Sequence, residues 1–119
     1  MEQSKARFKI NGGNMSDITA YTKQGQIPLT QIPSQQFNIV LGGQNCTIAV
    51  YQKDEFVFVD LYVDDVLIFV GIKALDRRGI KFAEYMNFDG QIWFEDLNGT
   101  ENPQYTGFGD RWILYYGTK

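Results

Sequence analysis

The chain of 119 residues is predicted to be an all-β protein, a small β-sandwich or partly open β-barrel of about 6–8 antiparallel strands joined by hairpins. Short apolar runs recur along it, and turn-forming residues separate them at intervals of about 8–12 residues. Aromatic residues, mostly Phe and Tyr, make up 15% of the chain and are common in strands. No stretch keeps a 3.6-residue apolar period long enough to predict a helix.

The first predicted hairpin turns at the Gly42-Gly43 pair. Apolar side chains occupy every second position over residues 37–41 before this pair and over residues 46–50 after it, as in half-buried strands. Adjacent glycines favour a tight hairpin turn because they accept positive φ. Cys46, the one cysteine, lies in the second run and is interpreted as a small buried hydrophobe, not a nucleophile.

A second hairpin is predicted over residues 56–72, with Asp64-Asp65 as its turn. Residues 56–63 look apolar on both faces, which predicts a strand that is buried on both sides or curls into a barrel. In the returning run, Gly71 predicts a β-bulge or a close backbone approach.

Residues 73–81 show neither the two-residue apolar period of a strand nor the 3.6-residue period of a helix. They are predicted to form a short connector with room for one helical turn. They contain the local basic cluster, Lys73, Arg77, Arg78 and Lys81. We interpret the cluster as a solvated loop, with a contact to acidic surfaces or phosphates as the alternative. The interleaved aromatic residues that single-stranded nucleic acid stacks on are missing.

A third hairpin is predicted around Asp89-Gly90, between strands at residues 82–88 and 91–97. This dipeptide favours a type I′ turn. Asn98-Gly99 marks the next break.

A turn-rich segment, residues 102–110, then leads into a dense aromatic strand. Pro103 excludes a central-strand position there. Gly107 and Gly109 accept backbone angles that are closed to other residues. Arg111 is predicted to anchor the loop to a carboxylate or to backbone carbonyls.

Aromatic residues near this segment and in the preceding strand suit two roles: filling the domain's own core, or forming an interface with a partner. They are Trp93, Tyr105, Phe108 and Trp112. Trp112, in the densest strand, is predicted to lie in the core. For Tyr105 and Phe108 both roles stay open.

Two parts of the chain differ in composition. Residues 1–26 are polar with scattered apolar side chains and are predicted to be an N-terminal extension or arm, with a possible short strand at residues 7–10. An arm that orders only in an assembly is the functional interpretation, and a flexible tail is the simpler one. Residues 27–119 are predicted to be a single β domain.

The residue types of nucleophilic catalysis are scarce. The chain contains no histidine, which excludes Ser-His-Asp and Cys-His pairs and most zinc and iron sites. Serine occurs only at positions 4, 16 and 34, where no strained nucleophile turn is predicted. Adjacent carboxylates such as Asp64 and Asp65 would point to opposite faces of a strand. We therefore predict that the protein is not an enzyme and has no cofactor.

A calcium loop was weighed at Asp96, Asn98 and Glu101 around Gly99. Their spacing does not meet the twelve-residue EF-hand pattern, so we interpret them as a polar hairpin turn. The net charge of −3 and pI of about 4.8 predict no specific nucleic-acid binding. The apolar run at residues 66–72 is too short to span a bilayer, so no membrane partner is predicted.

The final segment resembles the C-terminal signature of small baseplate plug proteins from contractile-tailed bacteriophages, which runs Pro, Tyr, Gly, Gly, Arg and then a hydrophobic strand ending in Tyr. The matching residues, in order, are Pro103, Tyr105, Gly107, Gly109, Arg111, Leu114 and Tyr116. Upstream, the similarity includes Ile27-Pro28-Leu29 and the spacing of Gly90, Phe94, Asp96 and Gly99. It covers about residues 27–116. Asn102 stands where the family usually has Asp, and Phe108 where Leu is common.

This resemblance implies a structural protein of the virion, at the tail baseplate, made in the host cytoplasm. It implies partners among the phage tail tube and baseplate hub or spike proteins, and a homo-oligomer in the assembly. The interface or loop-shaping residues would be Pro103, Tyr105, Gly107, Phe108, Gly109 and Arg111. The alternative from the residues alone is a free-standing β-barrel or sandwich module that binds a small ligand, peptide or glycan.

Overall fold

A computed structural model describes residues 17–119, and these form a sandwich of two antiparallel sheets. The predicted all-β class is therefore confirmed. Within residues 17–119 seven strands follow one another: β1 (Thr22–Ile27), β2 (Ser34–Leu41), β3 (Gln44–Lys53), β4 (Phe56–Val63), β5 (Val66–Ala74), β6 (Gln91–Asp96) and β7 (Trp112–Thr118). A short 3₁₀ helix spans Tyr105–Gly107. No helix among the described residues is long and apolar enough to cross a membrane.

The four-stranded sheet has the order β2-β3-β4-β5 and is a simple meander of hairpins. Two of its three turns lie where the sequence predicts hairpin turns. Gly42 and Gly43 have φ values of 57° and 77°, and Asp64 and Asp65 have 50° and 64°. Positive φ at both central residues twists a hairpin in the direction that its strands require.

Gly71 lies at a β-bulge, as the sequence predicts. The register between β4 and β5 shifts between Val59 and Leu61, and Gly71 has φ 68°. Its N–H donates to Oδ1 of Asp60 at 2.7 Å, and the hydroxyl of Tyr51 donates to the same oxygen at 2.8 Å. Burial of the phenol, together with the Asp60 carboxylate, raises the pKa of Tyr51 to about 12.

The three-stranded sheet has the order β1-β7-β6, so the last strand of the chain lies at its centre. β1 pairs with β7 from Thr22 to Ile27, and the predicted boundary between arm and domain, after residue 26, falls within this strand. The predicted strand at residues 7–10 lies outside the described residues.

The hydrophobic core lies between the sheets. Its fully buried side chains include Ile48, Val59, Leu61, Phe94 and Leu114. A second, smaller cluster lies on the outer face of the three-stranded sheet, where Ile18 and Tyr21 pack against Trp93, Ile113 and Tyr115.

Three sequence expectations are wrong. β4 is fully buried on one face only, since Val57, Val59 and Leu61 point inward whereas Phe58 and Tyr62 are half-buried. Residues 82–88 are not a strand, and Asp89-Gly90 therefore does not join two strands. The connector is also longer than predicted, because it runs from residue 75 to 90. Backbone groups of this connector take up the free edge of β6, which leaves no place there for a hairpin partner.

Candidate functional site

The predicted site residues lie in the loop between β6 and β7, residues 97–111, which we call the lead-in loop. The ends of the loop meet where the N–H of Leu97 donates to the carbonyl of Arg111 at 2.7 Å. The loop therefore leaves one strand of the sheet and returns beside it.

The carboxylate of Asp96 lies beneath the loop and is almost fully buried. Arg111 binds it through both oxygens, with Nε 2.8 Å from Oδ1 and Nη2 2.9 Å from Oδ2. The backbone N–H groups of Asn98 and Glu101 also donate to it, at 2.9 and 2.8 Å. The hydrogen bonds from Arg111, and then those from the backbone, hold the pKa of this carboxyl well below its ordinary value, although burial opposes them. Asp96 therefore holds together both ends of the loop, residues 98 and 101 on one side and Arg111 on the other.

The connector before β6 braces the same position from a second side. Oδ1 of Asp76 accepts a hydrogen bond from the N–H of Asp96 at 2.7 Å, and the N–H of Asp76 donates to Oδ1 of Asn102 at 3.0 Å. Arg77 donates to the carbonyls of Asp96 and Gly99, at 3.1 and 3.2 Å. The base of the loop is thus held by charged hydrogen bonds, which are stronger than neutral ones.

The inner side of the loop is apolar. Pro103 is buried, and Phe108 is only 2% exposed. The ring of Phe108 stacks on Phe94 of β6, with the centroids 5.5 Å apart. Gly107 lies against the indole of Trp112, where an added Cβ would come within 2.5 Å of the ring. The glycine at 107 is therefore required for packing.

The far end of the loop contacts the four-stranded sheet. The N–H of Tyr105 donates to Oε1 of Gln52 on β3 at 2.9 Å, and Nε2 of Gln52 donates to Oε1 of Gln104 at 2.7 Å. Gln104 in turn donates to the carbonyl of Glu55 at 2.8 Å. The lead-in loop therefore links the two sheets across one end of the sandwich.

The structure brings the predicted residues together as one loop. Gly109 has φ 79°, and its N–H donates to the carbonyl of Trp112 at 2.9 Å. Among the aromatic residues, Trp93, Phe108 and Trp112 are buried in the fold, and Tyr105 is half-buried against the core. These rings have little surface left for a partner.

The exposed part of the loop is mainly polar and acidic. It comprises residues 97–101, Thr106, Gly109 and Asp110, and Leu97 is the large apolar side chain among them, 57% exposed.

Sequence reasoning missed three contributors to this site, Asp76, Arg77 and Gln52. Arg77 is exposed, as expected of a solvated cluster, but its side chain also bonds to the loop, and its φ of 55° is a strained value that the sequence does not indicate. The solvated interpretation is wrong for Lys81, which is 5% exposed and donates from Nζ to the carbonyl of Phe88 at 3.0 Å. Burial lowers the pKa of Lys81.

Metal ligands do not assemble in the part of the chain that the structure describes, since no group of three or more His, Cys, Asp or Glu side chains is placed to hold an ion. The residues weighed as a calcium loop form a turn instead. The carboxylate of Asp96 is occupied by Arg111 and by the backbone of residues 98 and 101. Cys46 is buried, and burial raises the pKa of its thiol.

The fold is a β-sandwich whose lead-in loop is held by hydrogen bonds with Asp96, Asp76 and Gln52 and by the buried ring of Phe108. Residues 25–119 match the family described as Cyanophage baseplate Pam3 plug gp18, and the chain belongs to that family. The resemblance to phage baseplate plug proteins is thus confirmed. The protein has a structural role in a phage tail baseplate. No curated protein shows significant similarity to the chain.

Proposed function

We propose that this protein plugs or bridges the distal end of the tail tube and the central hub, in several copies and without a catalytic role. The observation that carries the proposal is the family match over residues 25–119, which include every strand of the sandwich except the first half of β1. The bridge is made by contacts of the β domain with tube and hub or spike proteins.

The hydrogen bonds that order the lead-in loop suggest where on this domain a partner binds. Pro103, Gly107, Gly109 and Arg111 shape the loop from within, and Tyr105 and Phe108 attach it to the core. A loop that is already ordered loses little conformational entropy when a partner binds it. We therefore assign the contact to the exposed part of the loop around Leu97, where an apolar side chain stands within a polar rim.

Co-purification tests this function. The full chain is produced together with the tube and hub proteins of the same phage, and capture of the chain is expected to retain them. Leu97→Asp is expected to abolish this retention and to leave Tm unchanged, because the side chain is exposed. Leu67→Asp is the matched control, since Leu67 is also half exposed, at 50%, but lies on β5.

If the wild-type chain retains neither protein, the bridging function is wrong. If Leu97→Asp binds as well as the wild type, the loop is not the contact surface, and the bridge lies elsewhere on the domain.

The alternative function is a free-standing module that binds a small ligand, peptide or glycan. A surface hollow of about 510 Å³ supports this alternative. Apolar Ile39 and Val40 line the hollow together with polar Asn45, Asp64 and Asp65. Ligand pockets have volumes of about 300–1,000 Å³ and combine apolar walls with a few polar groups. A glycan that raises Tm in the wild type but not in Asp65→Asn would favour this alternative.

A further inference from the structure

The free edges of the two sheets are protected to different degrees. At the outer side of β6, the connector supplies N–H groups: Arg77 donates to the carbonyl of Phe94 at 2.8 Å, and Ile80 to that of Ile92 at 2.9 Å. This edge is closed by the chain itself, which is one way in which proteins prevent unwanted strand pairing.

Irregularities protect two further edges. The register of β1 against β7 shifts between Lys23 and Gly25. β5 is irregular at two points along β4, and Gly71 interrupts it with a positive φ. Bulges of this kind bend an edge strand and prevent a flat pairing with another chain.

β2 has none of these protections. It pairs with β3 in unbroken register from Ser34 to Leu41, and its eight residues include no proline and no charged side chain. Within residues 17–119 it has β3 as its only strand neighbour. A regular edge strand of this length can pair with a further strand.

The backbone groups that the free edge of β2 offers follow from its pairing with β3. The N–H of Gln52 donates to the carbonyl of Pro33 at 2.8 Å, so these two residues form a hydrogen-bonded pair. Along an antiparallel ladder such pairs alternate with pairs whose N–H and C=O groups point away from the partner strand. The residues of β2 whose backbone groups point outward are therefore Ser34, Gln36, Asn38 and Val40.

The core-facing side of this edge is apolar and incompletely covered. Phe37 and Ile39 pack against the core but are only half-buried. A groove of about 380 Å³ separates residues 39–42 from residues 24–26 of β1, so β1 does not close the edge at this end. A strand that pairs with β2 would cover apolar surface as well as satisfy backbone groups.

We propose that in the free protein β2 pairs in antiparallel orientation with β2 of a second copy of this chain, about a two-fold axis at Phe37. In this register Gln36 of one copy lies opposite Asn38 of the other, and Ser34 lies opposite Val40. The outward backbone groups of both strands are then all used, in about eight hydrogen bonds. A shift of the register by two residues in either direction would leave some of these groups unpaired.

The side chains of β2 favour a second copy as the partner. Phe37 meets Phe37 of the other copy at a non-hydrogen-bonded position, where opposite side chains lie closest and aromatic pairs are stabilising. The strand has no charged side chain, so the two-fold axis brings no like charges together. The irregular edges of β1 and β5 offer no ladder of this length to a neighbouring copy. Among the edges of residues 17–119, β2 itself is therefore the matching one.

This contact goes beyond the proposed bridging of tube and hub, and it is tested on the isolated full-length protein. It is confined to one strand from each copy, and interfaces below about 1,200 Å² are typical of weak complexes. We therefore expect a dimer with a dissociation constant of about 1–100 µM, measured by light scattering over a dilution series.

Two cysteine variants test the register. Phe37→Cys places two thiols opposite each other at a Cα separation of about 4.5 Å, within the range of about 4.4–6.8 Å for disulfides. Oxidised glutathione is expected to convert this variant into a disulfide-linked dimer. Ile39→Cys is the matched control, because position 39 is half-buried on the same face of β2 but lies opposite Gln35, which keeps its two thiols apart. The native Cys46 is buried, so the wild type is expected to give no linked dimer.

Proline at position 36 tests the backbone contact. Gln36→Pro removes an N–H that points away from β3, so the ladder within the fold keeps its hydrogen bonds, and proline is tolerated on edge strands in this orientation. Association is expected to weaken about tenfold. Gln36→Thr keeps the N–H and is expected to associate as the wild type does. Far-UV circular dichroism checks that both variants are folded.

Four results would overturn the proposal: a monomer at every concentration, no disulfide in Phe37→Cys, equal linkage in the two cysteine variants, or equal association of Gln36→Pro and Gln36→Thr. Binding to tube and hub proteins is measured separately by co-purification. Failure of the strand pairing therefore leaves the bridging function intact, and the reverse holds as well.

Discussion

The lead-in loop and the free edge of β2 are both surface segments, but their backbone groups are satisfied in different ways. The loop turns on Asp96, whose carboxylate accepts bonds from Arg111 and from two backbone N–H groups, and its far end bonds to Gln52 of the other sheet. β2 has a regular ladder on one side and, among the described residues, no strand on the other.

Because of this difference, substitutions in the loop are expected to change stability, whereas substitutions at the edge of β2 are expected to change binding. A substitution inside the loop removes interactions that the folded chain makes with itself, and it therefore changes the free energy of unfolding. A substitution at an exposed position on the outer edge of β2 removes little that residues 17–119 use to hold their fold. It is expected to change only what the protein binds.

Removing the buried ring of the loop has the largest expected effect. Phe108→Ala deletes a side chain that is 2% exposed and stacks on Phe94. The free energy of unfolding is expected to fall by about 3–5 kcal/mol, measured by urea denaturation. Leu97→Ala, at an exposed position of the same loop, is the control and is expected to change it by less than about 0.5 kcal/mol. Equal effects would contradict the view that the loop is attached through its inner face.

Asp96→Asn breaks the charged base of the loop and is expected to lower Tm by about 10 °C at neutral pH. Because Arg111 holds the pKa of Asp96 below its ordinary value, the unfolded chain takes up a proton at a higher pH than the folded chain does. The contribution of Asp96 to stability is therefore complete above about pH 4 and is lost as the pH falls toward the folded pKa.

Urea midpoints measured from neutral to acid pH test whether the contribution of Asp96 to stability falls as the pH falls. The difference between wild type and Asp96→Asn is expected to shrink in acid. Asp110→Asn, at an exposed carboxylate of the same loop, is expected to follow the wild type throughout. A difference that stays constant at every pH would show that ionisation of Asp96 does not matter.

Gly107→Ala tests the close packing of the loop on Trp112. The added Cβ meets the indole ring at 2.5 Å, so the ring or the loop has to move. We expect the free energy of unfolding to fall by about 1–3 kcal/mol, the range for overpacking. Gly25→Ala is the matched control, since no atom lies within 4 Å of its added Cβ. Equal urea midpoints for the two variants would exclude the packing role of Gly107.

Val40→Lys tests the free edge of β2 and has the smallest expected effect on folding. Val40 is 64% exposed on β2, so the free energy of unfolding is expected to change by less than about 0.5 kcal/mol. Lysine on an edge strand opposes strand addition, so any self-association through this edge is expected to weaken, measured by light scattering over a dilution series. Val70→Lys, at a position 56% exposed on β5, is expected to associate as the wild type does. Equal loss of association in both variants would mean that β2 is not the site.

Much of the four-stranded sheet is predictable from local sequence. Gly42-Gly43 and Asp64-Asp65 are adjacent residues with a strong turn preference, and the strands that they join are neighbours in the sheet. Asp89-Gly90 has the same local preference but forms no hairpin, because the preceding segment has no free strand edge to pair with. A turn signal therefore predicts a hairpin only where both flanking segments find a place in a sheet.

The sequence by itself determined the all-β class, the turns at Gly42-Gly43 and Asp64-Asp65, the bulge at Gly71 and the family to which the chain belongs. These follow from local backbone preferences and from the order of short motifs. Only the tertiary structure decided that Arg111 binds Asp96, that Asp76 and Arg77 bond to the same part of the chain, and that β2 is, within residues 17–119, a regularly paired edge strand. Such pairings join residues that are distant along the chain. Whether a strand lies at the edge of a sheet depends on how all the strands are arranged, which the sequence of that strand does not show.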